Sequence, residues 1–239
     1  MITTIKLFGV NIRFHWSTIL LFSFLMFFVP PMAGLYAALV TIVILHEFGH
    51  ILVGKYFDWS CDEILIYPIG GFASMVQSFK NDPVEDLFVT IAGPFVNVLL
   101  IYPLYLLDNP LLFKVNLIIM FFNLCTPCFP MDSGRIVRSL IEIYCKDRVE
   151  ATDITVQISK GVAVLMFIVG IYYSLLYLPI IAWVSVKMGY QEYDFEYCLK
   201  YFPQDFLDHA KDRLTEKQIA NLEILVQKCN TQGSPSIPN

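Results

Sequence analysis

Charge is scarce in this sequence. Only 15% of its 239 residues are Asp, Glu, Lys or Arg, against roughly 25% in an ordinary soluble domain, while 56% are hydrophobic. A water-soluble globule of this size needs a polar shell, so the deficit points to a chain whose solvent is largely lipid. Positive charge is shortest of all: 16 Lys and Arg stand against 21 Asp and Glu, a net charge of -5. That excludes the clustered cations that neutralise phosphate backbones, and no nucleic-acid partner is expected. The six cysteines (Cys61, Cys125, Cys128, Cys145, Cys198, Cys229) are scattered rather than packed into a small secreted framework, and are expected reduced. There is no internal repeat. No small-residue cleavage site precedes Pro30 and Pro31, which argues against a cleaved leader in the first apolar stretch.

Long apolar stretches are what the sequence has instead. They run over about 16–29, 33–57, 87–107 and 110–126, with a further block between about 156 and 187, and a helical span needs about 20 residues. The last block is too long for one upright helix. Gly170 and the following Tyr172, Tyr173 and Ser174 offer a turn that divides it in two. With six helices and the N-terminus inside, Lys6, Arg13, Lys55, Lys80, Arg135, Arg138, Lys146, Arg148, Lys160 and the cations from Lys187 onward share one side. The expectation is therefore an all-α polytopic membrane protein of about six transmembrane helices, multi-pass in the cell membrane, with both termini cytoplasmic. Residues 1–190 form its membrane domain. Residues 191–239 read as a small cytoplasmic tail, with a helix over about 216–228 opened by Thr215 and Gln218 and a disordered end.

Inside the second apolar run stands His46-Glu47-Phe48-Gly49-His50, an HExxH. A spacing of four turns both imidazoles to one helix face, where two nitrogens can share one zinc ion. Zinc lowers the pKa of a bound water toward 7, and Glu47 is placed to take its proton and pass it to a leaving amine. Polar side chains can also act as glue between membrane helices. However, each ionisable group at that depth costs roughly 2.5–3.5 kcal/mol, and three within five residues argue for a shared metal. A catalytic zinc takes three protein ligands and keeps an open position. Asp132, where Pro127 and Pro130 interrupt regular helix after the fourth run, is the expected third ligand; its alternative is a helix N-cap. His15 and His209 are weaker candidates.

Taken together, these motifs resemble the site-2 protease family of intramembrane zinc metalloproteases, in a compact form without PDZ or CBS domains. The resemblance covers about residues 1–192. It rests on the HExxH, on Phe129-Pro130-Met131-Asp132-Ser133-Gly134-Arg135, on Ala92-Gly93-Pro94-Phe95-Val96-Asn97, and on the glycine pair of Pro68-Ile69-Gly70-Gly71-Phe72-Ala73. Ser133 stands where the family usually has Gly, and one extra residue separates Asn123 from Pro127. The resemblance implies an endopeptidase that cuts transmembrane segments of other membrane proteins to release regulatory fragments, with one Zn2+ per chain. The expected topology, in which the second helix runs from outside near Ala33 to inside near Phe57, puts the site in the cytoplasmic half of the bilayer.

Residues 62–76 read as strand, turn and strand, too short to span, and are expected as a re-entrant β-hairpin beside the zinc. Its free edge at Gly70 and Gly71 would hold a substrate extended through main-chain hydrogen bonds; the alternative is a hairpin lying on the headgroups. Asn97 is expected to steady substrate or the tetrahedral intermediate, or to make a helix-packing bond. Asn116, Asn123 and the Cys125/Cys128 pair read as packing residues. Two rival functions use the same features: a non-proteolytic adaptor that binds membrane segments, and a zinc transporter.

Overall fold

The computed structural model describes residues 3–7, 10–68, 70–76 and 82–201, with Ile219 and Glu223 beyond them. Apart from Ile219 and Glu223, which are helical, the expected helix over 216–228 lies outside the described residues, as do His209 and the expected disordered end. The chain divides into two compact units, one of residues 1–77 and 88–122 and the other of residues 78–87 and 123–239.

In the first unit Val10 and Ile12 are buried while Arg13 is exposed, the period-two pattern of a half-buried strand. They belong to β2 (Val10–Phe14), which pairs antiparallel with β1 (Thr3–Leu7). Helices α1 (Trp16–Phe28) and α2 (Pro30–Tyr56) then carry the chain across, so that β3 (Ser60–Tyr67) runs parallel to β2. A parallel pair requires such a crossover. β4 (Gly70–Val76) turns back on β3 and ends the sheet, whose order is β1-β2-β3-β4. The expected hairpin is thus β3 and β4, and it is half of a four-stranded mixed sheet rather than a lone insertion in an all-α protein. Ile64 and Ile66 of β3 join Val10, Ile12 and Ile51 in a core against which Val40, Ile44 and Phe48 pack. Residues 40, 44, 48 and 51 form one stripe of α2, and that stripe fixes the helix on the sheet.

α3 (Pro83–Leu106) opens at Asp82, whose carboxylate accepts from the Val84 N–H at 2.8 Å, and α4 (Pro110–Cys125) at Asn109, which accepts from Leu111 and Leu112. Both have Pro at the first helical position, where no N–H is needed. By length and composition α2, α3 and the later helix Arg148–Tyr172 are each able to cross a membrane, whereas α1 and α4 are shorter apolar helices of 13 and 16 residues. Among the described residues three helices meet both criteria, and the expected six spans are not confirmed.

The second unit contains the first turn of α3, α5 (Asp132–Cys145), α6 (Arg148–Tyr172) and α7 (Tyr177–Tyr201). α6 and α7 are parted at residues 173–176, the expected turn, where Ser174 takes a positive φ of 56° and the Leu175 N–H returns to the Gly170 carbonyl at 2.8 Å. α7 continues unbroken past residue 191 to Tyr201, so the polar stretch begins as part of this helix. A buried charge cluster joins these helices. Asp86 accepts from Arg138 at 2.8 Å and Arg135 at 3.0 Å, and Arg148 stands 3.4 Å away. Arg138 also reaches Glu192, and Arg148 bonds Glu196 at 2.8 Å and Glu142 at 3.1 Å. Three guanidiniums and four carboxylates therefore sit together, so that each buried charge has an opposite charge beside it, as burial demands. At the α6 N-terminus Asp147 caps the Val149 and Glu150 amides and pairs with Lys200.

Candidate metal centre

α2 carries a second buried stripe, turned away from the sheet: Ile42, His46, Gly49 and His50. Along it the imidazoles four residues apart meet, with their Nε2 atoms 3.2 Å apart and their planes at 85°. The other nitrogen of each ring is committed to an oxygen. The His50 Nδ1–H donates to the Val89 carbonyl at 2.8 Å, and the His46 Nδ1–H donates to Asn97 Oδ1 at 2.6 Å. Carbonyl oxygens accept only, so each ring carries its proton on Nδ1 and presents an Nε2 lone pair. Two lone pairs facing each other in a buried site repel unless a cation takes both. Two nitrogens about 2.0–2.1 Å from a tetrahedral ion would stand about 3.3–3.4 Å apart, which matches the observed separation. The pair fits zinc.

α3 supplies both acceptors because small residues let its backbone come close. A side chain at Gly93 would place a Cβ 2.2 Å from His50 Nε2 and 2.8 Å from His46 Nε2, and one at Gly49 would meet the Ala92 carbonyl at 2.5 Å. Pro94 lies within this stretch of α3. Lacking an N–H, it leaves the helix ladder interrupted one residue after the carbonyl that His50 uses.

Glu47 is half-buried on α2 beside β4: a Cβ at Gly71 would stand 3.2 Å from Glu47 Cγ and 2.8 Å from a Val43 methyl. The glycine thus lets the last strand of the sheet lie against the general-base candidate. β4 begins at Gly70, so the expected glycine pair opens this strand. Asn97 is fully buried, with its Oδ1 on His46 and its Nδ2 donating to Asn116 Oδ1 at 2.8 Å. Its amide is thus occupied by the histidine and by α4 instead of being presented to a substrate. His15 is engaged elsewhere: it caps α1 through Ser17 and lies 5.1 Å from the Tyr67 ring.

In the second unit Asp132 is buried and is the first residue of α5; the N-cap is Met131, which removes the capping alternative for Asp132. Ser133, in place of the family's Gly, donates its hydroxyl to the Thr126 carbonyl. A Cβ on Gly134 would stand 2.7 Å from the Cys128 carbonyl carbon, so the turn before α5 is tight at the glycine and hydrogen-bonded at the serine. Cys128 is buried against Ser185, the expected packing role, whereas Cys125 is exposed.

Residues 34–108 match the family model described as Peptidase family M50. A zinc metalloprotease of Methanocaldococcus jannaschii is 35% identical over 187 residues, which are 70% of this chain and 52% of that protein. Stage IV sporulation protein FB of Bacillus subtilis is 31% identical over 109 residues, 41% of this chain and 37% of its own. The chain therefore spans about half, or less, of these curated relatives. A solved structure of the site-2 protease from Methanocaldococcus jannaschii superposes with a TM-score of 0.59 at 29% identity, covering 81% of this chain and 95% of that one.

Proposed function

From a chain that carries a domain of the Peptidase M50, site-2 protease family, we propose an intramembrane zinc endopeptidase that hydrolyses peptide bonds in or near transmembrane segments of other membrane proteins. The observation that carries this is the pair of converging Nε2 atoms of His46 and His50, 3.2 Å apart with both Nδ1 protons tied down. In this reading one zinc per chain is held by His46, His50 and Asp132. Asp132 is an oxygen donor of the type zinc accepts, buried at the start of α5, and it stands in the motif that resembles the family's third-ligand sequence. Bound zinc would supply Lewis-acid polarisation of the scissile carbonyl and a water acidic enough to be deprotonated near neutrality.

The chain's own residues do the rest. Glu47 takes the proton from the attacking water on its carboxylate and returns it to the leaving amine. β4 closes the sheet with Gly71 against Glu47, and a substrate strand added at that edge would be held extended by main-chain hydrogen bonds. An extended peptide exposes its carbonyl to attack, whereas one inside a helix does not. Three helices long and apolar enough to cross a bilayer, together with the family, make this a membrane protein. The proposal adds six crossings in all, both termini cytoplasmic, and a site in the cytoplasmic half, from the side shared by the Lys and Arg residues.

The test is cleavage of a panel of single-span membrane proteins by wild type and Asp132→Ala, with zinc measured in both. Wild type is expected to cut within or beside a span, and Asp132→Ala to lose zinc and cutting together. Full zinc occupancy and activity in Asp132→Ala would overturn the ligand set.

A further inference from the structure

Asn116 lies in the middle of α4, fully buried, and makes no contact with a metal-ligating side chain among the hydrogen bonds described. Its Nδ2 donates to the backbone carbonyl of Asn97 at 2.9 Å, and its Oδ1 accepts from Asn97 Nδ2 at 2.8 Å. The first of these bonds has only one possible direction, since a backbone carbonyl accepts and never donates. Asn116 must therefore turn its NH2 to the Asn97 carbonyl and its oxygen to the Asn97 side chain. That in turn fixes the Asn97 amide: only its NH2 can satisfy Asn116 Oδ1, so its oxygen faces His46. The His46 Nδ1 must then carry the proton, leaving Nε2 as the ligating nitrogen. With either amide reversed, two oxygens would face each other at hydrogen-bond distance in a buried site, at the cost of unpaired polar groups.

We infer that Asn116 is a positioning residue for the metal site, acting through the Asn97 amide to hold His46 in the Nδ1–H tautomer and at the ring orientation that meets His50. This rests on the zinc reading given above. His50 needs no such device, because its acceptor, the Val89 carbonyl, is itself backbone and cannot flip. The asymmetry assigns a role to two buried amides that would otherwise carry a polar cost in apolar helices. Partners that orient a ligating histidine typically change metal affinity by about 10–100-fold when removed.

The experiment is a double-mutant cycle read by zinc affinity, using chelator competition on the detergent-solubilised full chain, with wild type, Asn97→Leu, Asn116→Leu and the double variant. The expected result is zinc binding weakened by about 10–100-fold in Asn97→Leu and by about tenfold in Asn116→Leu. The double variant should be no weaker than Asn97→Leu alone, because Asn116 has nothing left to orient. A packing role would make the two losses add. Wild-type affinity in Asn116→Leu, or additive losses, overturns the inference while leaving the zinc reading in place. A wild type that binds no zinc overturns both. Should Asn116→Leu fail to fold, the His46 tautomer in zinc-free wild type decides by nitrogen NMR of labelled histidine: Nδ1–H is expected, and Nε2–H overturns the inference.

Discussion

At the scale of single residues, holding the metal and moving the proton fall to different side chains. Glu47→Gln keeps the shape of the side chain and removes its basicity, so cleavage should fall by about 10²–10⁴-fold while zinc content stays that of wild type. Gly93→Ala should do the reverse. Its methyl would intrude to 2.2 Å from His50 Nε2, so zinc should be lost first and activity as a consequence, which metal analysis of the purified variant checks. The HExxH was legible in the sequence because two histidines four apart on a helix have only one way to face. What supports them was not. Gly93 and Asn97 stand in a motif that the sequence displays, but nothing in a single sequence says that the glycine clears space for imidazoles of another helix. Nor does it say that the amide points at His46 instead of at a substrate. Asn116 carried no signal beyond being a polar residue in an apolar run.

At the scale of elements, β4 and α2 are the pair that matters. Gly71→Val would drive a branched side chain against Val43 and Glu47, pushing the strand off the helix. The expectation is a loss in kcat/KM for a membrane substrate well beyond any change in zinc affinity, and equal cleavage would return the strand to a purely structural role. The long helices were readable because apolar runs of about 20 residues leave few alternatives, and the turn after Gly170 fell where the overlong block required one. The N-terminal strands were missed for a physical reason. β1 and β2 are five residues each, too short for alternation to stand out, and β2 gains its parallel partner only through contact with β3, some fifty residues on.

At the scale of the whole molecule, buried charge and membrane placement govern. Arg138→Met would leave Asp86 buried with Arg135 and Arg148 as its remaining cations, and should cost about 3 kcal/mol of stability, read as a drop in unfolding temperature in detergent. Arg13→Ala breaks the exposed bond to Glu63 and should cost no more than about 1 kcal/mol. The sequence presented Arg135, Arg138 and Arg148 as a one-sided tally of positive charge; that they share the Asp86 carboxylate depends on the folding of three helices and could not be read in advance. Asp147 adds a pH dependence. Burial opposes its ionisation, but the Lys200 ammonium and the Glu150 and Val149 amides outweigh that and hold its carboxyl below the usual range. The stabilisation is accordingly present above the ordinary Asp pKa of about 3.9 and is lost as pH falls through the lower folded value. Asp147→Asn should flatten this acid limb in thermal unfolding measured against pH.

The central claim is that His46, His50 and Asp132 hold the metal with which Glu47 hydrolyses a membrane-embedded peptide. It is tested most directly by following zinc content and cleavage of one single-span substrate in the same preparation, before chelation, after it, and after zinc is returned, for wild type beside Glu47→Gln. Expected are one zinc per chain in both proteins, cleavage by wild type that disappears and returns with the metal, and cleavage by zinc-loaded Glu47→Gln that stays about 10²–10⁴-fold below that of wild type. Cleavage that persists without zinc, or that Glu47→Gln performs as well as wild type, would contradict it.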